Sequence, residues 1–158
     1  RAEARHDYDA ALALAREVAD PRSEGIALSR LAQLALEDGR VQEARTQHEL
    51  SLSIARKAGY RRLEGVVLGG IGPVLMREGR AVEAIASVRA GEDVLREVGD
   101  REELCKLVCI RGNIEMELGQ LDRARVALAE AEALAKAMGT EAESEAGRAI
   151  AALRTATG

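Results

Sequence analysis

Glycine recurs in this chain at a fixed spacing, and that spacing constrains the fold more than any other feature. Gly39, Gly79 and Gly119 stand 40 residues apart, as do Gly59, Gly99 and Gly139, and the two series interleave every 20 residues. A helix of about 18 residues, roughly 27 Å long, plus a turn fills that interval. Glycine just past the last helical residue is a common stop signal, because it adopts the left-handed conformation that closes a helix. The repeating unit is therefore a helical hairpin. Other positions keep the same register: Leu28, Leu68 and Val108; Ala32, Gly72 and Gly112; Leu34, Val74 and Ile114; Ala44, Ala84 and Ala124; Ile54, Val94 and Leu134. Within each segment the spacings of three, four and seven trace one apolar helical face.

The pattern predicts helices over 3–19, 22–38, 41–58, 61–78, 81–98, 101–118, 121–138 and 141–155. Boundary chemistry agrees. Asp20-Pro21 offers an N-cap followed by proline at the first helical position, and the pairs Asp100/Glu103 and Thr140/Glu143 have capping-box spacing. A single hairpin cannot bury its apolar face, so the units must stack, each touching mainly its neighbours. The expected architecture is all-α, a right-handed superhelix (α-solenoid) of antiparallel hairpins. Composition sets what fills its core. With two tyrosines (Tyr8 and Tyr60), no Trp and no Phe, burial must come from Ala, Leu, Ile and Val. At about 25 cal/mol per Å² such small groups stabilise a chain only where backbones approach closely over a long contact.

Within each unit a large apolar residue is followed four places later by a small one (Leu28/Ala32, Leu68/Gly72, Val108/Gly112). A turn glycine comes seven later, an alanine five after that (Ala44, Ala84, Ala124), and a small residue seven further on (Ser51, Gly91, Ala131). This pattern resembles the tetratricopeptide repeat, in the longer form found in bacterial regulators and in kinesin light chains. The stretches 53–59 and 68–72 look most like the repeat tails of large bacterial signalling proteins. Two features depart from the family: its usual aromatic in the second helix is replaced by His48, Val88 and Leu128 after Tyr8, and its end-of-repeat proline is absent. On this resemblance, 1–19 is the second helix of a truncated preceding repeat, 20–59, 60–99 and 100–139 are repeats 1 to 3, and 140–158 is a C-terminal capping helix. Ala4, Tyr8, Ala11, Ala15 and Arg16 stand 40 before Ala44, His48, Ser51, Ala55 and Arg56, so the chain is expected to start inside a repeat, as a fragment of a longer protein.

A formal charge of -4 and the lack of a Lys/Arg block with interleaved aromatics argue against nucleic acid as a partner. No apolar run approaches the roughly 20 residues of a membrane span, and no signal peptide is visible, so the expectation is a cytoplasmic protein without a membrane partner. Catalysis has little raw material. His6 and His48 are the only histidines, and Cys105 and Cys109 the only cysteines. Although the two thiols share a helical face, a closed zinc site needs four ligands, and these positions correspond to Gly25/Gly65 and Ser29/Gly69. They read as small residues at a crowded contact. His48 reads as a packed imidazole, and the acidic clusters Glu102/Glu103 and Glu141/Glu143/Glu145 as helix-start charges that favour the macrodipole. No enzyme activity, metal or cofactor is expected.

The stretch Gly69-Gly70-Ile71-Gly72-Pro73 is the strangest local feature, because it lowers helix propensity by several kcal/mol in mid-helix. Either neighbouring helices hold it, or its small side chains open space for a ligand backbone. The family resemblance implies where a ligand would lie: a concave groove lined by the first helix of each repeat. Carried onto this chain, those positions are Ile26, Ser29, Gln33 and Leu36; Val66, Gly69, Pro73 and Met76; Lys106, Cys109, Asn113 and Met116. The row holds two amides able to pair with an extended peptide backbone, and flexible Leu/Met side chains that adapt to a partner. The expected function is non-catalytic capture of a protein or peptide segment within a bacterial signalling or regulatory protein. Two alternatives are a sensory module for a small effector or signal peptide, and self-association through the truncated N-terminal end. Only Lys106 is basic in the row, which argues against capture of a chain-terminal carboxylate by a cluster of cations.

Overall fold

The structure, a computed structural model, describes residues 2–158. Its helices are α1 (Ala2–Glu17), α2 (Pro21–Glu37), α3 (Val41–Ala58), α4 (Arg61–Arg77), α5 (Ala81–Val98), α6 (Arg101–Glu117), α7 (Leu121–Met138) and α8 (Glu145–Thr157). Two kinds of turn alternate. The odd helices α3, α5 and α7 end directly on Gly59, Gly99 and Gly139, whose φ of 66° to 73° closes the helix. The even helices α2, α4 and α6 end one residue earlier, and Gly39, Gly79 and Gly119 follow at φ 71° to 76°. The turn after α1 uses Ala19 in the same role, at φ 52°.

Capping follows the sequence at two of three predicted places. The Asp20 carboxylate accepts from the backbone N–H groups of Arg22 and Ser23, with Pro21 at the first helical position. Asp100 accepts from the Glu103 N–H at 3.0 Å, but the Glu103 carboxylate does not reach back; it joins Arg62 and Lys106 instead. The third expectation fails. Thr140 and Glu143 form no capping box: 142–144 is a turn, and α8 starts at Glu145, with the Ser144 hydroxyl accepting from the Gly147 N–H at 3.0 Å. Gly139 takes nearly the same conformation as Gly59 and Gly99, after which α4 and α6 begin two residues on, so the later start of α8 goes with the Ser144 cap rather than with the glycine turn.

The helices stack as an α-solenoid in which each packs on the next. The layers are unequal. Backbones of successive even helices (α2/α4, α4/α6, α6/α8) approach within 8 Å, whereas among the described residues successive odd helices do not. The stack therefore curves, with the even helices on its inner side. Small residues permit the close approaches. A Cβ placed on Gly91 would lie 2.5 Å from the Gly65 carbonyl oxygen and 2.9 Å from the Gly69 nitrogen, so α5 rests on the bare backbone of α4. Leu107 fills the space over Gly69, Val88 that over Gly72, and Leu95 that over Gly65. Neighbouring helices thus occupy most of the glycine-rich stretch, and α4 runs unbroken through Pro73 to Arg77. Serine and cysteine close two further contacts. The buried Ser51 hydroxyl donates to the Gly25 carbonyl at 2.7 Å, and the Cys105 thiol to the Ala131 carbonyl at 3.5 Å.

Candidate functional site: a cationic cup on the inner face

The inner side of the stack encloses a groove of about 410 Å³, within the size range of small-ligand and short-peptide sites. All four even helices line it. α2 contributes Ile26, Ser29, Arg30, Gln33 and Leu36; α4 contributes Arg62, Leu63, Val66, Gly70 and Pro73. Glu103, Lys106, Leu107, Cys109, Ile110 and Asn113 come from α6, and Glu145, Arg148 and Ala149 from α8, while His48 of α3 reaches in from the outer layer. Nine of the twelve groove positions named from sequence line it. Gly69 does not, being buried under Leu107, and Met76 and Met116 pack instead against the core that holds Val88, Val108 and Ile114.

Two side-chain amides and a proline form the row along this face. Gln33 and Asn113 are exposed, and Pro73 occupies the equivalent position between them. Having no N–H, Pro73 cannot bond the Gly69 carbonyl as a helical residue would. The aliphatic lining of the groove runs from the buried Leu63 and Leu107 through the half-buried Val66 and Ile110 to the exposed Ile26.

The charge of the groove differs from that of the chain. Arg30, Arg62, Lys106 and Arg148 face Glu103 and Glu145, a local cationic excess in a protein of formal charge -4. Lys106 is the one basic residue of the row named from sequence; the groove adds Arg30, Arg62 and Arg148 from outside that row. Arg30 lies one position past Ser29 of the groove row and Arg62 one helical turn before Val66, both reaching the groove with long side chains, and Arg148 belongs to the helix outside the repeat register. Two of the four are already neutralised. Arg62 pairs with Asp100 at 2.5 Å and with Glu103 at 3.1 Å; Lys106 pairs with Glu103 and Glu145, both at 2.9 Å. Burial works to lower the Lys106 pKa, but its bonds to Glu145 and Glu103 outweigh burial and raise it. Arg30 bonds the Gln33 amide oxygen at 3.4 Å and Arg148 the Glu143 carbonyl, and among the described residues neither forms an ion pair.

The His48 ring sits against Gly70, where a Cβ would come within 2.7 Å of it. His48 is 3% exposed, its Nδ1 has no hydrogen-bond partner, and burial pushes its pKa down to about 4. The imidazole is neutral at physiological pH and packs as the sequence indicated. Cys109 is buried, and its hydrogen bond with Cys105, with burial adding, pushes its thiol pKa well up, so it presents no thiolate to the groove.

One polar cluster escaped the sequence reading. Arg111, where the earlier repeats carry Leu31 and Ile71, pairs with Glu92 at 2.7 Å and Glu130 at 2.6 Å, linking α5, α6 and α7. Glu115 lies beside it, 1% exposed, its Oε2 3.7 Å from the Arg111 guanidinium but without a hydrogen-bond partner, and its pKa is raised by burial. Charged residues at apolar positions of the repeat register are the signal that marks this cluster.

No protein-family model matches the sequence, and no curated protein matches it. Among solved structures the fold is similar to the crystal structure of BtubC (BKLC) from P. vanneervenii, with a TM-score of 0.72 and 18% identity over 94% of this chain. The match spans 61% of the BtubC chain. At that identity the likeness shows the fold alone: an all-helical, repeat-like solenoid.

Proposed function

We propose that this chain is an array of tetratricopeptide-type hairpins that captures a peptide segment in the groove of its even helices, as a non-catalytic part of a bacterial signalling or regulatory protein. The observation that carries the reading is the groove itself, lined by aliphatic side chains, by the Gln33 and Asn113 amides along one row, and by four cations. Amides on a rigid row can pair with the N–H and C=O groups of an extended segment, while the aliphatic lining takes alternate side chains. The groove offers no aromatic anchor, so many modest contacts share the affinity. The test is the double variant Gln33→Ala/Asn113→Ala against peptides selected from a displayed library on the unaltered protein. Weakened binding with unchanged helicity supports the role of the amides; an unchanged Kd eliminates it.

A sensory role is the second reading, favoured by the way α2, α4, α6 and α8 all line one cup. A ligand that ties α2 to α8 biases the curvature of the stack, and differential affinity for two curvatures is what a sensor requires. Small-angle scattering with and without bound peptide distinguishes it: a ligand-dependent radius of gyration supports a sensor, and an unchanged one supports a constitutive scaffold.

A further inference from the structure

We propose that Arg30, Lys106 and Arg148 form a seat for an acidic side chain of the bound peptide, and that Glu145 fills this seat in the free protein. The inference rests on the peptide reading of the groove and adds the chemistry of the partner. Three cations and the Glu145 carboxylate, from three helices, line one groove: Lys106 of α6 bonds Glu145 at 2.9 Å and is the main reason its pKa lies below the usual range, with lesser attraction from Arg30 of α2 and Arg148 of α8. The other carboxylate of the cup is not exchangeable. Glu103 is 12% exposed and held by both Arg62 and Lys106. Glu145 is 54% exposed and has Lys106 as its one ion-pair partner among the described residues, so it can swing into solvent at small cost. Its departure leaves Lys106 still paired with Glu103, in a groove that Arg30 and Arg148 also line without an ion-pair partner among the described residues.

An acidic side chain, rather than a chain terminus, fits the layout. Leu63 and Leu107 are the buried part of the lining, whereas Arg30 and Lys106 are half-buried and Arg148 exposed, and an extended segment points successive side chains to opposite sides. Aliphatic residues can then meet the aliphatic lining while an intervening Asp or Glu meets the cations. Charge complementarity favours the same partner, because the groove carries a cationic excess within an acidic chain. Glu145 acts as a built-in competitor that selects for acidic segments.

The experiment compares two pools of acetylated, amidated hexapeptides, random in Ala, Val, Leu and Ile, with a fixed central Asp in one pool and Asn in the other. Equilibrium dialysis with mass-spectrometric readout measures retention by the unaltered protein, Glu145→Gln, Arg30→Gln and Arg30→Gln/Arg148→Gln, each first checked for an unchanged helical melt. The expected preference for Asp over Asn is roughly tenfold, the size of one charge-assisted hydrogen-bonded pair. It falls toward unity in the double arginine variant and partway in Arg30→Gln, while Glu145→Gln raises retention of the Asp pool several-fold and leaves the Asn pool unchanged. Equal retention of both pools overturns the acidic seat and leaves the peptide reading intact. An unchanged preference in Glu145→Gln overturns the competitor role. Retention of octanoate with neither pool retained overturns the proposal and the peptide reading together.

Discussion

Gly91→Ala is the substitution that most directly probes how the solenoid holds together. Two effects oppose each other. Replacing a mid-helix glycine by alanine gains about 1 kcal/mol of helix propensity. Against this, the new Cβ would stand 2.5 Å from the Gly65 carbonyl oxygen and 2.9 Å from the Gly69 nitrogen, well inside ordinary contact at 3.4 Å. Both obstacles are backbone, so no side-chain rotation relieves them and α5 must move off α4. Leu107, 2.9 Å from the same Cβ, is displaced with it. Overpacking of a well-filled core typically costs about 1–3 kcal/mol, and a clash with two backbone atoms belongs at or beyond the upper end. The net expectation is a loss of about 2 kcal/mol, which lowers Tm by roughly 4–8 °C in a chain of this size. Gly39→Ala serves as the contrast: nothing lies within 4 Å of its Cβ, and the φ of 76° alone costs about 1 kcal/mol. Thermal and urea unfolding followed by circular dichroism measure both. If Gly91→Ala is as stable as the unaltered protein or more stable, α5 does not rest on the α4 backbone and the reasoning fails.

Ala19→Gly should stabilise the chain by about 0.5–1 kcal/mol, because Ala19 holds a φ of 52° at the place where Gly59 stands one repeat later; an unchanged urea midpoint refutes this. His48, with a folded pKa of about 4 against 6.5 in the unfolded chain, makes the unfolded state the better proton binder. Stability is then lost as pH falls through 6.5 toward 4, by up to about 3 kcal/mol, and His48→Leu should flatten that part of the pH profile. Arg111→Met removes one of the two arginines that hold the buried Glu92, leaving Arg96 at 3.1 Å, and should lower the urea-unfolding free energy by about 1–3 kcal/mol; an unchanged value refutes this. Glu115→Gln removes a buried carboxylate whose pKa is raised, a group whose stability penalty grows as pH rises; stability at pH 7 should increase, and a clear decrease would refute the assignment.

The helices were legible because a turn glycine marks every 20 residues and a register of small and aliphatic residues repeats with it. Where local chemistry competed, the register alone was insufficient: Ser144, whose hydroxyl accepts from the Gly147 N–H, outcompeted Thr140 as the N-cap of α8. The groove row was legible wherever a residue both faces inward and ends there. Gly69 faces inward but lies beneath Leu107, and Met76 and Met116 turn their flexible side chains into the core. The cations were not legible, since Arg30 reaches the groove from beside its row, Arg62 from one turn before the row begins, and Arg148 on a helix that no repeat position describes. Aromatic poverty acquired a physical sense, because backbones that touch at Gly65 and Gly91 leave no room for rings between α4 and α5.

The account turns on the inner face of the even helices being the binding surface. Mapping ¹H–¹⁵N shifts during titration with the tightest-binding peptide tests this at residue level, side-chain amides included. The account predicts that the largest changes fall on the Gln33 and Asn113 side-chain amides and on residues of α2, α4, α6 and α8 that line the cup. Changes concentrated on the outer faces of α1, α3, α5 and α7, with Gln33 and Asn113 unmoved, would contradict it.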